Sequence, residues 1–342
     1  MSSDIKQKLI HHLEVIYPDE DHAVLADRII EIFWPEGSNT YPLDAAKDDR
    51  ELWSEKSSIL ITYGDSLLRD GETPLNTLHK FLMAYMKDVL SGVHILPFFP
   101  YSSDDGFSVM DYRQVREDLG DWEDVSQIGQ DFELMSDLVL NHASAKGTWF
   151  SGYLKGEEAY QDFFIEVDPA DDLSHVVRPR SLPLLTEFQT SEGKKHLWST
   201  FSDDQIDLNY ENPEVLLKII GVMKLYCDHH VKILRLDAVG FLWKIIGTTC
   251  IHLSQTHEVM KLFRTLMNYS HDDVTLITET NVPHVENISY FGNQDEAHVV
   301  YNFTLPPLLI YGLLTGDEAP LHLWMKNLSP LSEGCTFLNF VA

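Results

Sequence analysis

The feature that most constrains the fold is a series of short, apolar, β-branched runs, each followed by polar or glycine residues and then by a helical pattern. Strands that alternate with helices predict a parallel sheet, and their near-continuous apolar character predicts burial on both faces. The seven runs are residues 58–64, 93–99, 134–142, 231–239, 275–280, 298–304 and 336–342. Because seven runs approach the eight strands of a closed barrel, we predict an α/β fold of the (β/α)8 or TIM barrel type; an open doubly wound sheet is the alternative.

The spacing of the runs predicts the domain organisation. Apolar residues recur at helical spacing in residues 1–52, which predicts an N-terminal helical segment ahead of the barrel. Residues 143–215 separate the third and fourth runs by more than a simple connection requires, and we expect them to form a small B-type subdomain inserted over the barrel mouth. The catalytic barrel would then comprise residues 53–142 and 216–342.

The last run ends with the final residue, Ala342. A closed barrel needs an eighth strand and helix, so we expect a barrel that is truncated near its seventh strand. Because such a sheet keeps an unpaired edge, we also expect the 342-residue chain by itself to be inactive or poorly folded.

The charge balance restricts the expected partners. The chain has 25 Lys and Arg residues against 54 Asp and Glu residues, which gives a formal net charge of −29. Such a surface repels nucleic-acid backbones and anionic lipid, so we expect neither as a partner. An anionic substrate would need cations placed locally. Nothing in the sequence indicates an oligomeric state.

The cysteines and the N-terminus indicate the compartment. Cys227, Cys250 and Cys335 are isolated and form no CxxC motif. This pattern favours a reducing compartment and predicts neither a disulfide framework nor a zinc site. The N-terminus lacks the apolar core of a signal peptide, and no apolar run is long enough to span a bilayer. We therefore expect a cytoplasmic protein.

Two successive strands end in acidic residues. Arg235 and Asp237 stand two residues apart, which places both side chains on the same face of an otherwise apolar strand. A structural Arg–Asp pair would explain them, because buried charges must be paired. Glu279 ends the next strand, and the carboxyl ends of barrel strands are where active sites form. Two acids on neighbouring strand ends therefore predict one shared cleft.

Two further elements follow earlier strands. Asn141 and His142 end the third run, and a glycine-containing loop with Asp104, Asp105 and Phe107 follows the second. A structural histidine and an Asp-Gly turn are the ordinary explanations. All these residues nevertheless lie at strand C-termini in chain order, as the side chains of a barrel active site do.

These stretches resemble a known family. DLVLNH, ILRLDAV and LITET resemble the first three signature regions of the α-amylase superfamily, glycoside hydrolase family 13. VHILPFFPYSSDDGFSVMDY and LWSTFSDDQIDLNYENPEVL are similar to the sucrose phosphorylase subfamily. RPRSLPLLT, CIHLSQTHEVMKLFR and TETNVPHVENISYFG resemble the glucosylglycerate phosphorylases within that subfamily most closely.

The resemblance implies roles for individual residues. Asp237 would be the nucleophile, Glu279 the acid/base, and Arg235 would lie beside the nucleophile. The fourth signature of the family, His-Asp, would follow FLNFVA, so its transition-state-stabilising carboxylate is not expected in this chain. The resemblance also implies six other substrate-binding side chains: Asp104, Phe107 and His142 around the glucosyl ring, and Arg180, Gln205 and Asn281 near the acceptor or phosphate.

The implied reaction is glucosyl transfer to phosphate with retention of configuration, from glucosylglycerate to α-glucose 1-phosphate. A retaining mechanism requires two carboxyls about 5 Å apart. The neighbouring guanidinium of Arg235 favours an ionised Asp237, and burial beside this negative charge should raise the pKa of Glu279. Arg178 and Arg180 would bind phosphate, or would merely brace their loop. We expect no organic cofactor and no metal ion, with inorganic phosphate as co-substrate.

Other functions remain open at this stage. The acceptor could instead be glycerol, fructose or fructose phosphate, as in glucosylglycerol, sucrose and sucrose 6'-phosphate phosphorylases. Water or another sugar as the acceptor would make the protein a retaining α-glucosidase or transglucosidase. A non-catalytic relative or fragment is a further alternative, although the presence of both acids argues against it for the gene product.

Overall fold

The computed structural model describes residues 3–37, 41–43, 46, 52–270 and 273–340. Parts of the predicted N-terminal segment and the last two residues of the seventh run therefore lie outside the described residues. Ten α-helices are described: α1 (Ser3–Ile16), α2 (His22–Phe33), α3 (Pro74–Tyr85), α4 (Trp122–Asp131), α5 (Thr148–Lys155), α6 (Pro213–Asp228), α7 (Ser254–Tyr269), α8 (His284–Ile288), α9 (Leu305–Thr315) and α10 (Ala319–Asn327). Eleven strands are described: β1 (Ile59–Thr62), β2 (Gly92–Ile95), β3 (Glu133–Val139), β4 (His142–Ser144), β5 (Leu185–Thr190), β6 (Gly193–Trp198), β7 (Gln205–Asp207), β8 (Val231–Asp237), β9 (Thr275–Thr278), β10 (Val299–Tyr301) and β11 (Thr336–Leu338).

The main sheet has seven strands in the order β1-β2-β3-β8-β9-β10-β11, and every neighbouring pair is parallel. Each of the seven apolar runs supplies one of these strands, as predicted. The spatial order follows the chain order throughout. A doubly wound sheet would reverse its strand order at a switch point, so this topology favours the barrel over that alternative.

The segment between β3 and β8 carries the additional strands. β4 pairs antiparallel with β7, and β5 pairs antiparallel with β6 in a hairpin. α5 precedes the hairpin, and α6 begins at Pro213. Asn212 caps α6 by accepting from the backbone N–H of Glu214, and Pro213 fills the first helical position, where a missing N–H is tolerated.

Two apolar layers hold the sheet. Its outer face packs against the helices in the large core, to which α6 and α7 contribute much of their length. Its inner face forms a separate cluster along the barrel axis, built from Met135, Ile233, Ile277, Val299 and Tyr301. Burial on both faces explains why the strands are apolar almost without interruption.

The N-terminal helices lie against the outer helices of the barrel. α1 packs on α7 and α2 on α6. The His12 side chain links the first pair through Glu258, at 2.6 Å from its Nδ1. Arg28 links the second pair by a two-point contact with the carboxylate of Glu214, at 2.6 and 2.8 Å. Over the described ranges, we find no helix with the length and apolar character needed to cross a membrane.

Candidate active site

A cleft of about 310 Å³ lies at the C-terminal ends of the barrel strands. Asp237 is the last residue of β8, and Glu279 directly follows β9. Nine side chains were assigned catalytic or substrate-binding roles from the resemblance, and eight of them line this cleft: Asp104, Phe107, His142, Arg180, Gln205, Arg235, Asp237 and Glu279. The ninth, Asn281, lines an adjoining cavity that shares Glu279 with the cleft. The structure thus gathers all nine at the C-terminal ends of the barrel strands.

The guanidinium of Arg235 contacts both acids. Its Nη1 donates to Asp237 Oδ1 at 2.7 Å, and its Nη2 lies 3.9 Å from Glu279 Oε1. The other oxygen of Glu279 accepts from the backbone N–H of Ala238, at 3.3 Å. The register pairs Leu236 with Thr278, so the two acids follow on adjacent strands, whose usual spacing is about 4.8 Å.

The surroundings give the two carboxyls different tasks. Burial raises the pKa of Glu279, and the negative charge of Asp237 raises it further, against the opposing effect of Arg235. The direction is the one predicted from the sequence. A carboxyl with a raised pKa beside a carboxylate that is bonded to a guanidinium is the arrangement that acid catalysis next to a nucleophile requires.

Ala238, the residue after Asp237, has a backbone φ of 52°. This left-handed conformation is unfavourable for a residue with a Cβ and occurs most often where function imposes it. Here it ends β8 abruptly and turns the N–H of Ala238 toward Glu279. The strained residue therefore ties the two strand ends together.

A layer beneath the acids was not identified from the sequence. Arg235 Nη1 also donates to Asp137 Oδ1 at 2.6 Å, and His94 Nε2 lies 2.8 Å from Asp137 Oδ2. Phe107 and Tyr301 each place a ring 5.5 Å from the guanidinium carbon, within cation–π range. A charged residue within the apolar strand β3 was the available signal for Asp137, because an unpaired charge is rarely buried.

The loop after β2 adopts an unusual backbone to present Asp104. Asp104, Asp105 and Gly106 have φ values of 55°, 50° and 112°. A Cβ on Gly106 would lie 2.7 Å from the Cβ of Pro97, so glycine is required there. Ser103 anchors the loop by donating to Asp204 Oδ2 at 2.5 Å.

Gln205 was expected near the acceptor or phosphate, and the structure places it among the residues assigned to the glucosyl ring. Its Nε2 donates to Asp104 Oδ2 at 3.0 Å and lies 3.1 Å from His142 Nε2. Its Oε1 accepts from Ser202 at 2.9 Å. Burial lowers the pKa of His142, so this imidazole is held neutral, and its Nε2 lies 3.0 Å from the carbonyl oxygen of Phe107.

The two loop arginines occupy different positions. Arg178 is exposed and donates to the carbonyl oxygen of Leu182 within its own loop. Arg180 lines the cleft and also a larger groove that continues from it past Lys146. The predicted loop-bracing contact is therefore made by Arg178, whereas Arg180 is the arginine whose position at the cleft suits phosphate binding.

A second buried ion cluster lies behind His142. Lys244 Nζ lies 2.5 Å from Asp207 Oδ2 and 2.8 Å from Asn141 Oδ1. Thr200 donates to Asp207 through both its backbone N–H and its hydroxyl, at 2.8 and 2.6 Å. Burial lowers the pKa of Lys244, and Asp207 opposes that effect. The side chain of Asn141 is thus engaged in this cluster and does not line the cleft.

No group of three or more His, Cys, Asp or Glu side chains is arranged to hold a metal ion in the part of the chain that the structure describes. Cys227, Cys250 and Cys335 are all buried, and none of them forms a disulfide within the described residues.

Several known proteins with similar sequences are sugar phosphorylases. A glucosylglycerate phosphorylase from Allomeiothermus silvanus is 49% identical to this chain and aligns with 100% of it and 60% of its own length. One from Escherichia coli (strain K12) is 44% identical over 99% of this chain and 60% of its own. This chain therefore spans about 60% of the length of these curated relatives. The crystal structure of sucrose 6F-phosphate phosphorylase from Thermoanaerobacter thermosaccharolyticum is 30% identical, with a TM-score of 0.71, and is matched over 81% of this chain and 58% of that one.

A family model described as "Alpha amylase, catalytic domain" matches residues 81–312. The matched region includes β2, β3, β8, β9 and β10, and hence the strand ends that carry Asp237 and Glu279. Together with the structural match, it confirms the predicted family and the predicted incomplete (β/α)8 barrel. The chain belongs to the alpha-amylase family.

Proposed function

We propose that the protein containing this chain is a retaining glucosylglycerate phosphorylase, which converts glucosylglycerate and phosphate to α-glucose 1-phosphate and glycerate. The observation that carries the proposal is the shared guanidinium of Arg235, which holds Asp237 at 2.7 Å and Glu279 at 3.9 Å on adjacent strand ends. Similarity supports the substrate: three glucosylglycerate phosphorylases are 44–53% identical to the chain, whereas sucrose phosphorylases are 29–32% identical.

In the first step, a carboxylate oxygen of Asp237 forms a bond to the anomeric carbon, and the bond from that carbon to the glycerate oxygen breaks. Glu279 transfers its proton to the departing oxygen, so glycerate leaves with a hydroxyl. The raised pKa of Glu279 extends the pH range over which that proton is available. The product of this step is a β-glucosyl ester of Asp237.

In the second step, a phosphate oxygen attacks the same carbon from the side that glycerate left. Its proton passes to Glu279, and the ester bond to Asp237 breaks, which restores both carboxyls. Two inversions give net retention and hence α-glucose 1-phosphate. Asp104, His142 and Phe107 would hold the glucosyl ring through both steps.

Phosphate must enter an acidic protein, and Arg180 is placed to attract it. Arg180 lines the cleft and the groove that leads into it, and a guanidinium matches phosphate oxygens in a two-point contact. With a net charge of −29, a local cation at the entrance is needed to offset long-range repulsion. No organic cofactor or metal enters any step of the proposed reaction.

The test uses the full-length gene product that contains these 342 residues. Glucosylglycerate, glucosylglycerol and sucrose are each incubated with and without phosphate, and glucose 1-phosphate and glucose are measured separately. We expect glucose 1-phosphate in the α configuration, formed from glucosylglycerate and only with phosphate. Glucose released at the same rate without phosphate would make the protein a hydrolase and refute the proposal.

A further inference from the structure

A small cavity adjoins the catalytic acid on the side away from the sugar-binding residues. It has a volume of about 110 Å³ and shares Glu279, Ala238 and Phe201 with the cleft. Asp104 and His142 do not line it. Because the acid must reach the oxygen that joins the glucosyl ring to the leaving group, a cavity that Glu279 lines on the side away from the ring-binding residues is placed to receive the leaving group.

The cavity wall contains one imidazole with an unused nitrogen. The side chain of His252 is 14% exposed and lines the cavity, and its Nε2 is buried with no hydrogen-bond partner among the described residues. The carboxylate of Glu286 lies 3.7 Å from Nε2, beyond hydrogen-bond distance. A buried polar atom without a partner is uncommon in a folded protein and calls for a ligand or water.

The neighbours of His252 determine which nitrogen carries the proton. Its Nδ1 lies 2.7 Å from the hydroxyl of Tyr290. Burial raises the pKa of Tyr290, so the phenol keeps its proton, and Nδ1 is the acceptor that the described residues offer to it. The ring proton of a neutral His252 therefore resides on Nε2. The Nε2–H of His252 is thus a hydrogen-bond donor without an acceptor among the described residues.

The backbone around His252 adopts unfavourable conformations. His252 has a backbone φ of 54°, and Cys250 has one of 52°. Strained residues of this kind persist where the surrounding structure enforces them and cluster at functional sites. A Cβ on Gly240 would lie 3.0 Å from His252 Cε1, so the glycine admits the ring. The His257 ring stacks on the Tyr290 ring with 4.7 Å between their centroids. This contact holds Tyr290 in place, and the Tyr290 hydroxyl in turn orients His252.

We propose that His252 is a specificity-determining residue, whose Nε2–H donates a hydrogen bond to the carboxylate of a short hydroxy-acid leaving group. This inference rests on the proposed function. The small volume suits a short acid, since about 110 Å³ accommodates roughly three or four water molecules. Asn281 and Thr280 line the same cavity and supply further polar contacts to such a group.

The test measures acceptor discrimination in the synthetic direction, with glucose 1-phosphate as donor. The readout is kcat/KM for glycerate divided by kcat/KM for glycerol, which lacks the carboxylate. We expect His252→Phe to lower this ratio by about 10- to 100-fold, the range for a hydrogen bond to a charged group. His252→Gln, which keeps an N–H donor, should recover most of the ratio. His79→Phe is the matched control, because His79 has a similar exposure of 17% and lies on the barrel exterior.

A second variant covers the case in which His252→Phe does not fold. Tyr290→Phe keeps the stacked ring and removes only the hydroxyl that orients Nδ1, so the ratio should fall by a smaller factor of about 3 to 10. An unchanged ratio in these variants would overturn the inference. A raised KM for phosphate with an unchanged ratio would also overturn it, by assigning Nε2 to phosphate. If the unmodified protein forms no glucose 1-phosphate from glucosylglycerate, the proposed function fails instead.

Discussion

Two buried clusters of a cation with carboxylates lie at the mouth of the barrel, and they differ in charge balance and in access. Lys244 faces one carboxylate, Asp207, and both side chains are almost fully enclosed, with 3% and 0% exposure. Arg235 faces three carboxylates, and two of them line an open cleft. The Lys244 cluster has balanced charges and is closed to solvent. The Arg235 cluster has more carboxylates than cations and opens onto the cleft.

The difference separates a structural ion pair from a reactive one. In the closed cluster every acceptor of Asp207 has a donor, so the pair fixes the position of the loop that carries it. In the open cluster burial raises the pKa of Glu279, and the negative charge of Asp237 adds to this rise against the opposing effect of Arg235. A perturbed carboxyl in a cleft is the physical signature of a functional site, whereas burial and pairing alone are not.

The largest difference between the effect on activity and the effect on stability is expected from Asp237→Asn. Removing the carboxylate that we propose as the nucleophile should lower kcat by on the order of 10⁴-fold or more. The unfolding free energy should change by less than about 1 kcal/mol, because the variant keeps the volume and relieves a surplus of acid. Turnover and urea denaturation of the same preparation measure both effects. Asp228→Asn, at an exposed position at the end of α6, is the control. Activity above about a hundredth of the unmodified level would contradict the assignment.

In the closed cluster, by contrast, Lys244→Met is expected to act mainly on stability. This substitution leaves Asp207 buried and without its cation, which should cost about 3–5 kcal/mol of unfolding free energy. Lys194→Met removes a lysine from an exposed ion pair with Glu187 and should cost less than about 1 kcal/mol. Urea unfolding curves compare the two. Equal costs would show that the closed cluster is not a structural element.

A smaller effect is expected from Asp137→Asn, beneath the open cluster. Asn keeps the size and one acceptor but weakens the hold on Arg235, which contacts Asp137 at 2.6 Å. We expect kcat to fall by about 10- to 100-fold, because misplacement of a supporting group by a fraction of an ångström lowers the rate. KM should change little, since Asp137 does not line the cleft. A change confined to KM would place Asp137 in substrate binding instead.

The smallest change is one of pH dependence. Because the pKa of Glu279 is raised, its proton is retained above the ordinary range of a glutamate, and kcat/KM should fall only as the pH rises through this higher pKa. With α-glucosyl fluoride, whose leaving group needs no proton, this basic limb should be absent from the unmodified protein and from Glu279→Gln alike. Measured pH profiles of the two proteins provide the comparison. A basic limb that persists in the variant would belong to another group.

The sequence predicted what depends on strand order and failed where side chains meet across distant segments. Strand ends are local features, so Asp237 and Glu279 could be placed in one cleft from the apolar runs alone. The ion pair of Lys244 with Asp207 joins the loop after β8 to the segment between β3 and β8, and no periodicity reports such a contact. The same limit applies to Gln205, whose partners became visible only when the loop after β2 was placed beside it.

The central claim is that Asp237 becomes covalently glucosylated, and mass spectrometry tests it directly. Glu279→Gln in the full-length protein should slow release of the sugar, so that the ester accumulates with α-glucosyl fluoride as donor. We expect the mass of one glucosyl residue on the proteolytic peptide that contains Asp237, and its absence in the Asp237→Asn, Glu279→Gln double variant. A label on a different residue, or turnover without any covalent label together with inversion at the anomeric carbon, would contradict the account.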